Sequence, residues 1–218
     1  MTAKKRSYDD ACGAAHALDL IGERWALLVA RELMLGPRRF TDIRAALPGI
    51  SANVLTQRLT ELEEASIVRR RKLPPPASSS VYELTEWGLE LEPVIKTVGK
   101  WGARSPHMQA GKQISVNSLI LSFRTMFDPK AAVDVSGDLL IRVDGQDFHA
   151  KLRRNRFEVN PGAPEKPDAS IEGSANAIGA VVYGGAPLDS LKVSGDPDLA
   201  RRFTKLFPMP ERAPSYSG

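Results

Sequence analysis

The chain has 218 residues, 42% apolar and 26% charged, an ordinary globular balance and, at ~100–200 residues per domain, enough for one or two domains with cores of their own. The net charge of +4 is thinly spread, with 16 Lys and Arg against 13 Asp and Glu in residues 1–110 and 14 against 13 beyond them, so only local clustering can argue for a nucleic-acid partner. One cysteine, Cys12, excludes an intramolecular disulfide framework and a thiolate-rich metal site. In chain order, "CGAAHALDLIGERWALLVARELMLG" reads as two helices broken near Gly22. Trp25, Leu28, Val29 and Leu33 stand at helical spacing, and Gly36-Pro37 ends the second helix. "RRFTDIRAALPG" predicts a short helix stopped at Pro48-Gly49, and another helix runs from about Ser51 to Ala65. "IVRRRKL" and "VYELT" read as two strands around the loop "PPPASSS". A last helix carries Leu91, Val94, Ile95, Val98 and Trp101 on one side; Pro93, which has no amide hydrogen, either kinks it or marks its restart.

"ARSPHMQAGKQ" is polar and aperiodic, a linker that sets a boundary near residue 108 and divides the chain into 1–108 and 109–218. Beyond it the pattern is α+β. "SLILSFRTMF" fits helix or strand, and helix is preferred. "DLLIRVDGQDFHAKLRRNRFEVN" alternates, with Ile141 and Val143 on one face, Phe148, Ala150 and Leu152 likewise, and a hairpin turn at Asp144-Gly145. "DASIEG" and "DSLKVSG" are further short strands separated by a helix in "SANAIGAVVYGG". "DPDLARRFTKLF" closes as a helix capped by Asp196 with Pro197 first.

The helix from Ser51 carries the functional signal. At ~100° per residue Leu55, Leu59 and Leu62 share one face while Asn53, Thr56, Gln57 and Thr60 share the opposite one. Ser51 is a good N-cap, although no Glu or Gln stands three positions on to complete a capping box. The acids Glu61, Glu63 and Glu64 collect toward the C-terminal end, against the preference of the helix dipole. A helix whose first turns face phosphates has reason to keep acids away from that end. With Arg38 and Arg39 before the preceding helix and Arg69, Arg70, Arg71 and Lys72 on the strand after, the order is that of a winged helix-turn-helix. Its second helix enters the major groove of duplex DNA and its ribbon lies along the backbone or the neighbouring minor groove. Asn53, Thr56, Gln57 and Thr60 are the candidate base readers, Asn and Gln suiting adenine. Arg39, Ser51, Arg58, Arg69, Arg70, Arg71 and Lys72 are the candidate phosphate contacts. Arg58 sits off the polar stripe and is equally readable as an intramolecular ion pair.

Residues 12–104 resemble the HxlR-type winged-helix regulators of bacteria. The resemblance rests on Cys12 and on "LIGERWALLVARELMLG", "RRFTDI", "PGISANVLTQRLTELE", "IVRRR", "YELTEWG" and "LEPVIKTVGKWG". It implies a homodimer on a pseudo-palindromic operator, most often a repressor, joined through the N-terminal helices around residues 10–21 and the last helix around residues 89–104. The loop "LPPPASSS" departs from the family pattern. The resemblance also implies a sensing role for Cys12. The residues themselves leave two readings of it: a thiol made reactive by its place near a helix start, or a small apolar residue buried between subunits, with Asp9 and Asp10 raising its pKa. The second half resembles the sterol carrier protein 2 fold through "LLIRVDG", "PDASIEGS", Gly184-Gly185 and "LKVSGD". That implies an apolar tunnel and an apolar small-molecule effector; the other reading is a domain that only packs or dimerises.

The fold expected is therefore α+β, a mostly helical winged helix-turn-helix domain with a β-hairpin wing followed by a sterol carrier protein 2-like α+β domain. The three histidines, His16, His107 and His149, lack ligand spacing, and no Walker A, G-x-G-x-x-G or G-x-S-x-G motif is present, so no metal, cofactor or enzyme activity is expected. No apolar run approaches the ~18 residues of a bilayer span, and acids follow the basic start where a signal peptide would be apolar. The C-terminal "SYSG" is not a peroxisomal address. A cytoplasmic protein of the bacterial nucleoid, without membrane contact, is expected. The alternative reading is a lipid or acyl-chain carrier.

Overall fold

The computed structural model describes residues 7–74, 79–109 and 111–215. The tip of the "LPPPASSS" loop and the extreme ends of the chain thus lie outside the described residues. The chain divides into two compact units, residues 1–95 and 96–218, with the division falling inside a helix.

The first unit runs α1 (Gly13–Ile21), α2 (Ala26–Leu33), α3 (Phe40–Ala46), α4 (Ala52–Glu64), β1 (Val68–Lys72), β2 (Ser80–Leu84) and α5 (Glu86–Leu89), then enters α6 (Leu91–Ala103). α2 buries Ala26, Val29, Ala30 and Leu33, an i, i+3, i+4, i+7 stripe. Of the expected stripe, Val29 and Leu33 are in the core and Trp25 and Leu28 are not. Trp25 precedes the helix in a left-handed conformation, with φ of 81°, and Leu28 is exposed. Val29 and Leu33 meet Ile43 of α3, Leu55, Leu59 and Leu62 of α4, and Val68, Val81 and Leu84 of the hairpin in one core. β1 and β2 pair antiparallel from Val68↔Leu84 to Lys72↔Ser80. Arg38, just before α3, exchanges two backbone hydrogen bonds with Tyr82, at 2.9 and 2.8 Å, which ties the α3 start to the hairpin. α5 ends at Leu89 and α6 begins at Leu91, so Pro93 falls in a first turn, where its missing amide hydrogen leaves nothing unpaired. The helix restarts; it is not kinked.

The second unit contains α7 (Val116–Met126), β3 (Gly137–Val143), β4 (Gln146–Arg153), β5 (Arg156–Pro161), β6 (Ala169–Gly173), α8 (Ala175–Gly184), a short 3-10 turn (Leu188–Ser190), β7 (Lys192–Gly195) and α9 (Pro197–Phe203). The expected helix over "SLILSFRTMF" is α7, started by Ser115, whose hydroxyl accepts the Ser118 amide hydrogen. The strands form one sheet ordered β5-β4-β3-β6-β7, antiparallel except where β3 runs parallel to β6. Asp144 and Gly145, at φ of 48° and 77°, make the expected tight turn between β3 and β4. Leu139, Ile141, Val143, Phe148, Ala150 and Leu152 are buried on one sheet face, and Leu119, Phe123, Ile178, Phe203 and Phe207 complete that core. Other side chains of these strands meet in ion pairs, among them Arg142–Asp147 at 2.6 Å and Lys192–Glu172 at 3.1 Å.

Candidate nucleic-acid interface

α4 is started by Ser51, whose Oγ accepts the Val54 amide hydrogen at 3.3 Å. Leu55, Leu59 and Leu62 fix its rotation by entering the core, and that rotation exposes Asn53, Thr56, Gln57 and Thr60 as one uncharged polar stripe. All four predicted base readers are brought together. Thr56 donates its hydroxyl hydrogen to Ala52 O at 3.0 Å, so it meets a ligand as an acceptor. Gln57 donates from Nε2 to Glu61 Oε1 at 3.0 Å. No acid stands in the first turn of α4.

The predicted phosphate contacts separate into three groups. Arg39 is exposed, and its backbone N–H donates to Asp42 Oδ2 at 3.4 Å. On the wing, Arg69 and Arg71 both reach Glu83 of the paired strand, at 2.7 and 3.0 Å. Arg71 first, and then Arg69, hold the Glu83 carboxyl below the usual carboxylate range. One negative charge is therefore set against those two. Arg70 lies with its guanidinium carbon 5.9 Å from the Tyr82 ring centre, and among the described residues neither Arg70 nor Lys72 has a carboxylate partner. Glu83 escaped the sequence reading; its signal was its place opposite Arg69 once the strands are in register.

Arg58 is a correction. It is 5% exposed, with Nη1 at 2.9 Å from Glu61 Oε2 and 3.3 Å from Glu23 Oε2. Position 58 is i+3 from Leu55, inside the core stripe, so its charge is spent within the protein and the phosphate reading fails.

A family model described as HxlR-like helix-turn-helix matches residues 20–110. Over 85 residues the chain is 39% identical to YvaP of Bacillus subtilis (strain 168), described as an uncharacterised HTH-type transcriptional regulator; the match covers 39% of this chain and 79% of the relative. The chain belongs to the HxlR-like helix-turn-helix family. It is also 41% identical over 85 residues to the HTH-type transcriptional regulator YodB of the same organism, covering 39% of this chain and 76% of that one. A solved structure of YodB in its reduced form aligns with a TM-score of 0.40 and 36% identity, over 47% of this chain and 100% of that one.

In this HxlR-like chain Cys12 is the N-cap of α1 and is exposed, so burial would need a second copy. Its backbone N–H donates to Asp10 Oδ1 at 2.9 Å. The backbone N–H groups of Ala15 and then Ala14 lower the thiol's pKa. The acids Asp9 and Asp10 were expected to raise it; the direction set by the helix-start amides is the opposite. Alkylation of Cys12 by iodoacetamide is expected to reach half its plateau rate at a lower pH in the native chain than in the denatured one. Coincident pH profiles would show that the helix end exerts no pull.

Proposed function

We propose that this HxlR-like chain is a bacterial transcriptional repressor that binds a pseudo-palindromic operator in the nucleoid as a homodimer. α4 enters the major groove, with Asn53, Thr56, Gln57 and Thr60 on base edges; Arg39, Ser51 and the Arg69–Lys72 run hold phosphates. The observation that carries this reading is the exposed uncharged stripe on a helix whose other face is locked in the core, with a wing on which, among the described residues, Arg70 and Lys72 have no carboxylate partner. Residues 1–108 form the DNA-binding and dimerisation part. The dimer reading is supported by exposed apolar side chains on the elements the family resemblance assigns to it: Leu18 of α1, and Val94, Val98 and Trp101 of α6.

Residues 109–218 we read as sterol carrier protein 2-like, a site for an apolar effector; the order of helices and strands supports this. A signal arriving there, or at Cys12, changes the spacing of the two recognition helices and hence operator affinity. The carrier alternative has less support, because it leaves the exposed polar stripe of α4 and the basic wing without a role. No described helix is long and apolar enough to cross a membrane.

Salt titrations of binding to duplex DNA test the reading. Arg70→Ala is expected to weaken binding to every sequence and to reduce the slope of log affinity against log salt by about 1. Gln57→Ala is expected to relax preference at one base pair and leave the slope unchanged. A salt slope untouched by Arg70→Ala would remove the wing from the interface. Binding that is absent or insensitive to salt, with a lipid retained in native mass spectrometry, would favour the carrier.

A further inference from the structure

One carboxylate in the first unit touches both a buried guanidinium and a member of the base-reading stripe. Glu61 Oε1 accepts from Gln57 Nε2 at 3.0 Å and from Arg58 Nη2 at 3.1 Å, while its Oε2 lies 2.9 Å from Arg58 Nη1. Arg58 is buried and reaches Glu23 in the turn between α1 and α2. We propose that Glu61 is a specificity-positioning residue, held by Arg58, that fixes the Gln57 amide in the orientation needed to read adenine. The proposal rests on α4 being the base-reading helix.

A carboxylate only accepts hydrogen bonds, so Gln57 must turn its amino group, not its carbonyl, toward Glu61. One N–H is used there. The other N–H and the carbonyl oxygen remain, and these are the donor and acceptor that adenine N7 and the N6 amino group require. An unrestrained glutamine on an exposed helix face gives up rotamer freedom when it docks; one already held gives up less. The i, i+4 spacing of Gln57 and Glu61 is that at which helical side chains meet. A bare carboxylate beside the reading face would repel phosphates; the buried guanidinium of Arg58, shared with Glu23, offsets part of the Glu61 charge from the core side.

The test is selection from a library of randomised duplexes by the full chain and by Gln57→Ala, Glu61→Ala, the double variant and Glu61→Gln. The readout is the ratio of affinities between sequences, which the folded fraction of a sample does not alter. Glu61→Ala is expected to lose about ten-fold discrimination at the base pair assigned by Gln57→Ala, and at no other. The double variant is expected to discriminate no worse than Gln57→Ala alone. Glu61→Gln, whose amide can donate as well as accept and whose amino group would face an Arg58 N–H, no longer dictates which way Gln57 turns and is expected to relax the same base pair. A wild-type preference in Glu61→Ala or in Glu61→Gln, or additive losses in the double variant, would each overturn the proposal. If Gln57→Ala changes no base preference, the choice of reading face has failed, a separate outcome.

Discussion

Arg58→Ala is expected to lower the unfolding midpoint of the first unit by roughly 10–20 °C, from a loss of about 2–3 kcal/mol at ~4–8 °C per kcal/mol for a domain of this size. The substitution removes a side chain that is 6% exposed and leaves a hole against the leucine face of α4. It also leaves Glu23 and Glu61, both of which faced the same guanidinium nitrogen, without a shared partner. Stripping one member from a fully buried pair costs ~3–5 kcal/mol. Here Glu23 is 60% and Glu61 26% exposed, so the orphaned carboxylates can turn to water, and the lower figure follows after that discount. Lysine should not restore the loss, because a point ammonium lacks the planar fork by which Arg58 meets both oxygens of Glu61. The check is tryptophan fluorescence during thermal unfolding in a Trp101→Phe background, which leaves Trp25 and Trp87, both in residues 1–95. An unchanged midpoint would mean that the leucines alone anchor α4.

Arg58 also marks the boundary of what sequence periodicity can reach. The phase of Leu55, Leu59 and Leu62, with Ser51 ahead of them, was enough to place α4 and to expose its polar stripe. The same phase puts position 58 in the core, but a charge there is ambiguous until its partners are known. Glu23 stands in a turn far upstream, and no local pattern pairs it with Arg58. The wing shows the same division. Its basic run is plain in sequence, whereas the neutralisation of Arg69 and Arg71 depends on the register that brings Glu83 alongside. Trp25 read as helical because its spacing suited the stripe, yet its left-handed backbone starts the helix one residue later. At Cys12 the acids are visible as letters, but the direction in which Ala14 and Ala15 point their amide hydrogens is not. In the second half the tight turns announced themselves through Asp144-Gly145. The parallel pairing of β3 with β6 did not, because it joins strands separated by β4 and β5.

Phe123→Ala is expected to cost the second unit about 3–5 kcal/mol, the usual range for removing a fully buried phenylalanine side chain. Phe123 is wholly buried in α7, and its ring centre lies 4.7 Å from Phe207, 5.8 Å from Phe203 and 6.4 Å from Tyr183. Those partners come from α8, α9 and the segment after it, so one ring joins every helix that closes over the sheet. The remaining rings are too constrained by their own contacts to collapse into the space, which places the cost in the upper part of the range for large-to-small changes. All of these ring contacts lie within residues 96–218. Circular dichroism should therefore lose part of its amplitude at a lower temperature, while the fluorescence transition of Trp25 and Trp87, read in a Trp101→Phe background, stays where it was. Binding to random-sequence DNA should persist with an unaltered salt slope if residues 1–108 carry it. A tryptophan transition that falls together with the circular dichroism would show that the two units fold as one, and would remove the ground for assigning DNA binding to the first part and effector binding to the second.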